Sequence, residues 1–476
     1  MASTFNPSSL LQIDTDLLVH VLSIQPQQFA QRTYLVYGST RLTYAHAHVQ
    51  ATHLANALRV RWAVRKADRV AILSRNTPHF VIAVLACHLL GAVVVPINAF
   101  LEAPTLAFCI QDADPRVIIV DVERFARLRD ARWDTTSAAK TPALHALLVS
   151  PWKGTSYLPV EQRDWLVRPD SASDLKPSSA TVPVADWDDV LSQAASYPPL
   201  VLAPASPDQD AQIMYTSGTT AAPKGVLATG RQLMGAPALI MIHTARAFLR
   251  RGQEPPTPPP PETIDEAQCP SGLLLSPLFH ISCMFSTITA TLRGAKIVLL
   301  PAYSATAALA AIRNERVQSI SAVGFMVREI FAQAGEGDLD SIQAVSHGGA
   351  AAARELPAEV NARAKGAMAG NGFGATESCG PVSEYSIQIR RRAQAQERLL
   401  THPRPPLLPS SSTWCSSRGT GGRVHCASRL DRPSHPGHRH SHRRPGHGCR
   451  PRERRAGRGV CLSPFLLLAC QPVHRH

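Results

Sequence analysis

Four hydroxyl side chains, two glycines, a proline and a lysine crowd into ten positions of this 476-residue chain: Thr216, Ser217, Gly218, Thr219, Thr220, Pro223, Lys224 and Gly225. Apolar residues precede and follow them, so 213–226 reads as strand, tight loop, strand. Such a loop turns backbone N–H groups, hydroxyl donors and one ammonium toward a single point. That arrangement suits a polyphosphate. It differs from the common phosphate loop, in which Gly and four further residues lead into Gly-Lys-Ser/Thr. Here Ala222 and then Pro223-Lys224-Gly225 follow, and no helical pattern begins at once. The alternative is an ordinary Ser/Thr/Gly turn.

Three more stretches carry candidate chemistry. Ser276-Pro277-Leu278-Phe279-His280 closes a predicted strand at 272–275, and Ser346-His347-Gly348-Gly349-Ala350 closes another at 342–345. Asn371-Gly372-Phe373-Gly374-Ala375-Thr376-Glu377 reads as a glycine-rich turn with an acidic end. Taken alone, Glu377 is either a solvated acid or a metal ligand. His280 alone is either a core histidine or part of a pocket.

The elements that must position these residues follow a repeating rhythm. A hairpin-like turn at Gly38-Ser39-Thr40 precedes a helical pattern over 43–60. A strand at 69–73 leads to a helix with Thr77 as N-cap, Pro78 in its first turn and Gly91 as its stop. Strands at 93–96 and 116–121 flank a helix at 104–111. This alternation predicts a parallel sheet covered by helices. Residues 130–200, rich in Ser, Ala, Pro and Asp, read as a surface excursion with a short helix at 187–193. A helix at 232–249 leads into the proline run 255–261, expected as a stiff exposed loop. Further strands are expected at 296–300 and 319–323, and a helix at 305–313.

Charge is distributed unevenly. The chain holds 49 Lys and Arg against 35 Asp and Glu, but residues 387–476 contain 18 Arg, no Lys and only 3 acids. The body is therefore left with 31 basic and 32 acidic residues, close to neutral. The tail, rich in Arg, Pro, Ser and His with no sustained period, is expected to be disordered. A reading frame shifted from the ancestral one, or an unspliced intron, would produce this composition. His435, His438, His440 and His442 lack the paired spacings of a zinc finger. Ten scattered cysteines, none in a Cys-x-x-Cys pair, suit reduced thiols in an intracellular protein. Residues 1–16 have no signal-peptide pattern, and no apolar run approaches the roughly 18–20 residues a membrane helix needs.

Taken together, 215–225, Pro277-Leu278-Phe279-His280, 347–350 and 371–377 resemble, in the right order, motifs of the adenylate-forming superfamily, acyl-CoA synthetase branch. Leu42-Thr43-Tyr44 through Val95-Pro96-Ile97-Asn98 is also similar to this family. The resemblance implies an α/β fold, the large N-terminal domain of such enzymes with helix-covered, mostly parallel sheets. It divides the chain into an N-terminal arm at 1–29, an AMP-binding domain at 30–386 and a tail at 387–476 without the C-terminal catalytic domain. It implies that a carboxylic acid, fatty or aryl, is activated by ATP as an acyl-adenylate for transfer to CoA. Thr216, Ser217, Gly218, Thr219, Thr220 and Lys224 would hold the β- and γ-phosphates. Thr376 would contact phosphate, Glu377 would hold Mg²⁺ and Phe373 would pack on adenine. Gly348, Gly349 and Ala350, with Asn371, Gly372 and Gly374, would line the nucleotide and acyl site, and His280 would line or gate the acyl pocket.

Several positions depart from the family pattern. Gly324 stands where Pro is usual, and Ala351-Ala352 replace Pro-Leu. Nothing after residue 386 matches the family's ribose-binding Asp, hinge or catalytic Lys. The sequence-based expectation is thus a small-molecule ligase curtailed, and impaired or inactive, through that loss, in the cytoplasm or peroxisome though without a peroxisomal tripeptide. A non-catalytic ATP- or acyl-binding remnant is the alternative. A nucleic-acid binder acting through the Arg-rich tail is the third reading, with no specific nucleic acid expected.

Overall fold

The computed structural model describes residues 27–386, apart from 131–145, 151–183, 203–205, 217–221, 251, 253, 256–258, 261, 351–354 and 365. All of these belong to one of the two compact units of the chain. The other, Ile389–Ser463, lies outside the described residues, as does everything expected of the tail.

The chain opens with the antiparallel pair β1 (Thr33–Tyr37) and β2 (Thr40–Thr43), joined through Gly38 at φ 57°. Helix α1 (Tyr44–Trp62) begins at Thr43, whose hydroxyl accepts from the His46 N–H. Strand β3 (Arg69–Leu73) is followed by α2 (Pro78–Leu90), then β4 (Val93–Pro96). The predicted punctuation of α2 is present. Thr77 caps it, Pro78 sits in its first turn, and Gly91 ends it in the left-handed conformation at φ 72°. Helix α3 (Ala103–Ala113), β5 (Val117–Asp121) and α4 (Val122–Asp130) continue the alternation.

The excursion expected over 130–200 is corrected in part. It contains β6 (Ala146–Ser150) and β7 (Val184–Asp186) as well as the expected helix, α5 (Trp187–Ala194). Both strands extend the sheet in parallel from β5. They are short apolar islands in a polar stretch, too brief for periodicity to reveal.

Next come β8 (Asp210–Thr216), β9 (Lys224–Thr229) and α6 (Gly230–Leu249), the last opened by a reciprocal cap between Thr229 and Gln232. The remainder is β10 (Ser271–Leu274), α7 (Ile281–Leu292), β11 (Lys296–Leu299), α8 (Ala305–Glu315), β12 (Ser319–Ala322), α9 (Gly324–Gln333), β13 (Ala344–Gly348), α10 (Leu356–Arg363), β14 (Met368–Ala375) and β15 (Gly380–Ser386).

These strands form two sheets, in the orders β15-β14-β13-β12-β10-β11-β1-β2 and β7-β6-β5-β3-β4-β8-β9. Pairing is parallel throughout except at the edge strands β2, β15 and β9. Three apolar cores define the layering. One joins both sheets through α1, α2 and α7. The second packs α8, α9 and α10 on the free face of the eight-stranded sheet, and the third packs α3 and α4 on the free face of the seven-stranded sheet. Helix α2, apolar nearly all round, is buried between the sheets, as a helix without a polar face must be.

In the proline run 255–261, Pro260 is exposed and Pro255 and Pro259 are half-buried. The carbonyls of Pro259 (3.3 Å), Pro260 and Thr263 (2.7 Å) accept from the guanidinium of Arg32, which is buried. This part of the loop is thereby tied to the core. Among the described residues no helix is long and apolar enough to cross a membrane.

Burial in α2 has a thermodynamic consequence. His88 is 3% exposed, its Nε2 has no hydrogen-bond partner among the described residues, and burial holds its imidazole down at about 4. An unfolded histidine takes up its proton near pH 6.5, so between about 6.5 and 4 the unfolded chain binds more protons. The stability this site contributes is whole above about pH 6.5 and is lost as pH falls toward 4, at about 1.4 kcal/mol per unit. Thermal unfolding from pH 7.5 to 4.5 should fall less steeply in His88→Gln than in the parent. Parallel slopes would show that His88 does not titrate in this way.

Candidate nucleotide and acyl site

Parallel pairing points the carboxyl ends of β10, β12, β13 and β14 the same way, and the same holds for β3, β4, β5 and β8. In open α/β sheets, ligands gather beyond these ends. Every candidate stretch from the sequence leaves its sheet there. The 216–224 loop follows β8, 276–280 follows β10, Gly348 to Ala350 ends β13, and Thr376 and Glu377 follow β14.

The hydroxyl-rich loop is gripped by a hairpin. Thr216 ends β8 and lies directly opposite Lys224, the first residue of β9. Lys224 is exposed and Thr216 half-buried, while Ser217, Gly218, Thr219 and Thr220 lie outside the described residues. The hairpin is anchored from behind. The Tyr215 hydroxyl donates to Asp112 Oδ2 at 2.7 Å and to the Cys109 carbonyl at 3.1 Å, both on α3. Burial, reinforced by that carboxylate, raises the phenol far above its usual range, so it stays a donor. Tyr215→Phe should therefore cost about 1 kcal/mol of stability and loosen the strand feeding the loop. Calorimetric unfolding and ATP titration should both register it; unchanged values in both would show that the anchor is idle.

The stretch 371–377 is a strand and a turn rather than the expected turn. Asn371 to Ala375 belong to β14, paired with β13 on one side and β15 on the other, and Thr376–Ser378 forms one 3₁₀ turn. Glycine is required here for close backbone approach. A Cβ on Gly374 would lie 2.2 Å from the Gly380 carbonyl oxygen, and one on Gly348 would lie 2.5 Å from that of Gly372. Gly349 adopts φ 75°, the left-handed region that suits glycine. The turn 376–378 packs against β9, so the Thr376-Glu377 segment of one sheet meets the hairpin of the other. Glu377 is exposed and Thr376 half-buried.

Phe373 stands 72% exposed on β14, an open aromatic face beside this junction. Asn371 is exposed, Gly372 and Gly348 are half-buried, and Gly349 and Ala350 are exposed. His280 is exposed at the start of α7, its ring 4.9 Å from that of the buried Phe279.

His347 had no role in the sequence reading beyond the motif it opens. It is 2% exposed, and neither ring nitrogen has a partner among the described residues. Burial lowers its pKa, so the imidazole is neutral.

The donor set can be tested against a divalent cation. Among the described residues no group of three or more His, Cys, Asp or Glu side chains could hold a metal alone. One exposed carboxylate fits a Mg²⁺ that takes its remaining ligands from phosphate and water, the usual habit of that ion at nucleotide sites.

Comparison with known proteins agrees with this layout. The family model described as "AMP-binding enzyme" matches residues 22–406. The long-chain-fatty-acid–CoA ligase FadD13 of Mycobacterium tuberculosis is 27% identical over 343 residues, covering 71% of this chain and 56% of the relative. Feruloyl-CoA synthase of an Amycolatopsis species is 27% identical over 372 residues, 77% of this chain and 60% of that one. The chain thus spans 56–60% of the length of these relatives. Among solved structures, O-succinylbenzoate coenzyme A synthetase of Bacillus subtilis in complex with AMP superposes with a TM-score of 0.53 at 23% identity, covering 77% of this chain and 61% of that one.

Proposed function

The chain belongs to the AMP-binding enzyme family, and from that premise we propose that it binds ATP with Mg²⁺ and a carboxylic acid, and activates the acid as an acyl-adenylate for transfer to the thiol of CoA. The observation that carries this reading is the junction of the Thr376-Glu377 turn with the β8–β9 hairpin. Thr216 and Lys224 on the hairpin, and Thr376 and Glu377 on the turn, thereby lie on neighbouring elements of two different sheets.

The chemistry explains the residue types. A carboxylate is a poor electrophile because its leaving group would be an oxide. When its oxygen attacks the α-phosphorus of ATP, the bond to the β-phosphate oxygen breaks and pyrophosphate leaves. A thiolate then attacks the acyl carbon and AMP departs. The first step brings two anions together, so donors and positive charge fixed around the phosphates lower its barrier. Lys224, Thr216 and the loop hydroxyls are assigned to the β- and γ-phosphates, Thr376 to phosphate and Glu377 to Mg²⁺, which supplies charge neutralisation along the triphosphate. Phe373 offers its exposed ring to adenine. Gly348, Gly349 and Ala350, at the end of β13, are assigned to line the nucleotide and acyl site. The 276–280 segment, with His280, forms a wall of the acyl pocket. Fatty and aryl acids are the substrate classes proposed, as in the relatives' names.

Calorimetric titration with ATP·Mg²⁺, followed by hydroxamate trapping over a panel of fatty and aryl acids, tests this. Saturable binding with acid-dependent trapped product is expected. ATP binding without trapped product from any acid would favour a non-catalytic binder instead.

A further inference from the structure

We infer that Asn76 is a positioning residue for the acid substrate: its side-chain amide clamps the backbone of 276–280, the wall assigned above to the acyl pocket. This inference rests on the acyl-pocket reading just proposed. Asn76 Nδ2 donates to the Ser276 carbonyl at 2.8 Å, and the Leu278 N–H donates to Asn76 Oδ1 at 2.7 Å. Both bonds are short and cross from the seven-stranded to the eight-stranded sheet.

The segment needs such a clamp. The last strand-like bond of this stretch runs from the Leu275 N–H to the Ser321 carbonyl at 3.1 Å. Two residues later Pro277 has no N–H to continue the ladder. A primary amide presents one acceptor and two donors in a fixed plane, so it can imitate a neighbouring strand for one peptide unit. Asn76 does this for Ser276 and Leu278. Beyond them the turn closes on itself, the His280 N–H donating to the Pro277 carbonyl at 3.0 Å.

The clamp is itself held rigidly. The Arg75 N–H donates to Asp121 Oδ2 at 2.9 Å, and the same carboxylate accepts from the Arg124 N–H at 2.8 Å. The Ser74 hydroxyl donates to the Arg75 carbonyl at 3.1 Å, and Thr77 caps α2 on the other side. Asn76 therefore projects from a loop fixed on both flanks. Phe279, next along the wall, packs edge-on to Phe100 at 6.0 Å between ring centroids. The loops of the seven-stranded sheet thus hold the 276–280 wall at two places.

The prediction separates acid binding from nucleotide binding. In the full chain, Asn76→Ala should weaken dodecanoyl- and benzoyl-sulfamoyl-adenosine, two adenylate mimics, about tenfold, the order of one lost orienting contact. ATP·Mg²⁺ affinity should stay within about twofold, since no phosphate contact changes. Hydrogen–deuterium exchange of the 276–280 peptide should quicken. Asn76→Asp retains the acceptor for Leu278 and should fall between, a second variant should alanine impair folding. Ser271→Ala is the control. It removes a comparable pair of bonds at the opposite end of β10, to the Arg316 carbonyl at 3.0 Å and from the Gln318 N–H at 3.1 Å. It should lower stability without changing either affinity or the exchange at 276–280. Unchanged exchange at 276–280 in Asn76→Ala, or equal weakening of mimic and ATP, overturns the inference. A parent chain that binds ATP but neither mimic overturns the acyl reading itself, whereas the exchange data judge the clamp independently.

Discussion

Gly374→Ala should abolish detectable ATP binding while leaving the unfolding transition of most of the chain in place. The added methyl would sit 2.2 Å from the Gly380 carbonyl oxygen and 2.7 Å from the Pro381 Cα. Both are backbone atoms, so no side-chain rotation relieves the clash. Strand β15 must separate from β14, at a cost of about 3 kcal/mol by the usual scale of overpacking. Both strands lie at one edge of the eight-stranded sheet, and Thr376-Glu377 hangs on the turn between them. The damage therefore falls on the junction with β9 rather than on the central core. Gly235→Ala, in α6, is the control, because a methyl added there meets nothing within 4 Å. Calorimetric titration should find binding in the second variant and none in the first. Equal binding in both would show that the β14–β15 approach does not support the site.

Lys224→Ala has the next largest expected effect, about a hundredfold loss of ATP·Mg²⁺ affinity. Lys224 is exposed and starts the strand on the far side of the loop, opposite Thr216. Its stem packs little, so substitution should leave the melting temperature within about 2 °C, the range of an ordinary surface change. Loss of a charge-assisted contact to phosphate costs about 3 kcal/mol where it is preorganised. Lys224→Arg should recover only part of it, since a planar guanidinium replaces a point charge. Unaltered affinity in Lys224→Ala would remove the ammonium from the phosphate site.

Much of this architecture could be read from the sequence because its signals are local. Thr77, Pro78 and Gly91 mark both ends of α2 by capping chemistry confined to one turn at each end. The apolar runs of β3, β4 and β5 are long enough to show a buried parallel sheet. The misses share a cause: the deciding contact lies far away in sequence. Strands β6 and β7 exist because β5 offers them an edge, and nothing within their five and three residues declares it. The glycines of β14 read as a turn because glycine usually marks one. For Gly374 the actual reason is a carbonyl oxygen on β15. The tie between the proline run and Arg32 was not legible, because its acceptors are carbonyls, which any residue has, and the donor lies more than 220 residues earlier. Asn76 stands beside the N-cap Thr77 with no local sign of its role, while its partners lie 200 and 202 residues downstream. Of the site, the motifs were legible, but the meeting of the Thr376-Glu377 turn with β9 was not, since the two belong to different sheets.

The central proposal is that the β8–β9 hairpin and the Thr376-Glu377 turn serve to activate a carboxylic acid on ATP. Exchange of labelled pyrophosphate into ATP by the full chain measures that step alone, without requiring CoA. The account predicts exchange that appears only when a fatty or aryl acid is added and that drops sharply in Lys224→Ala. A folded chain that binds ATP·Mg²⁺ yet shows no acid-dependent exchange with any acid of the panel would contradict it.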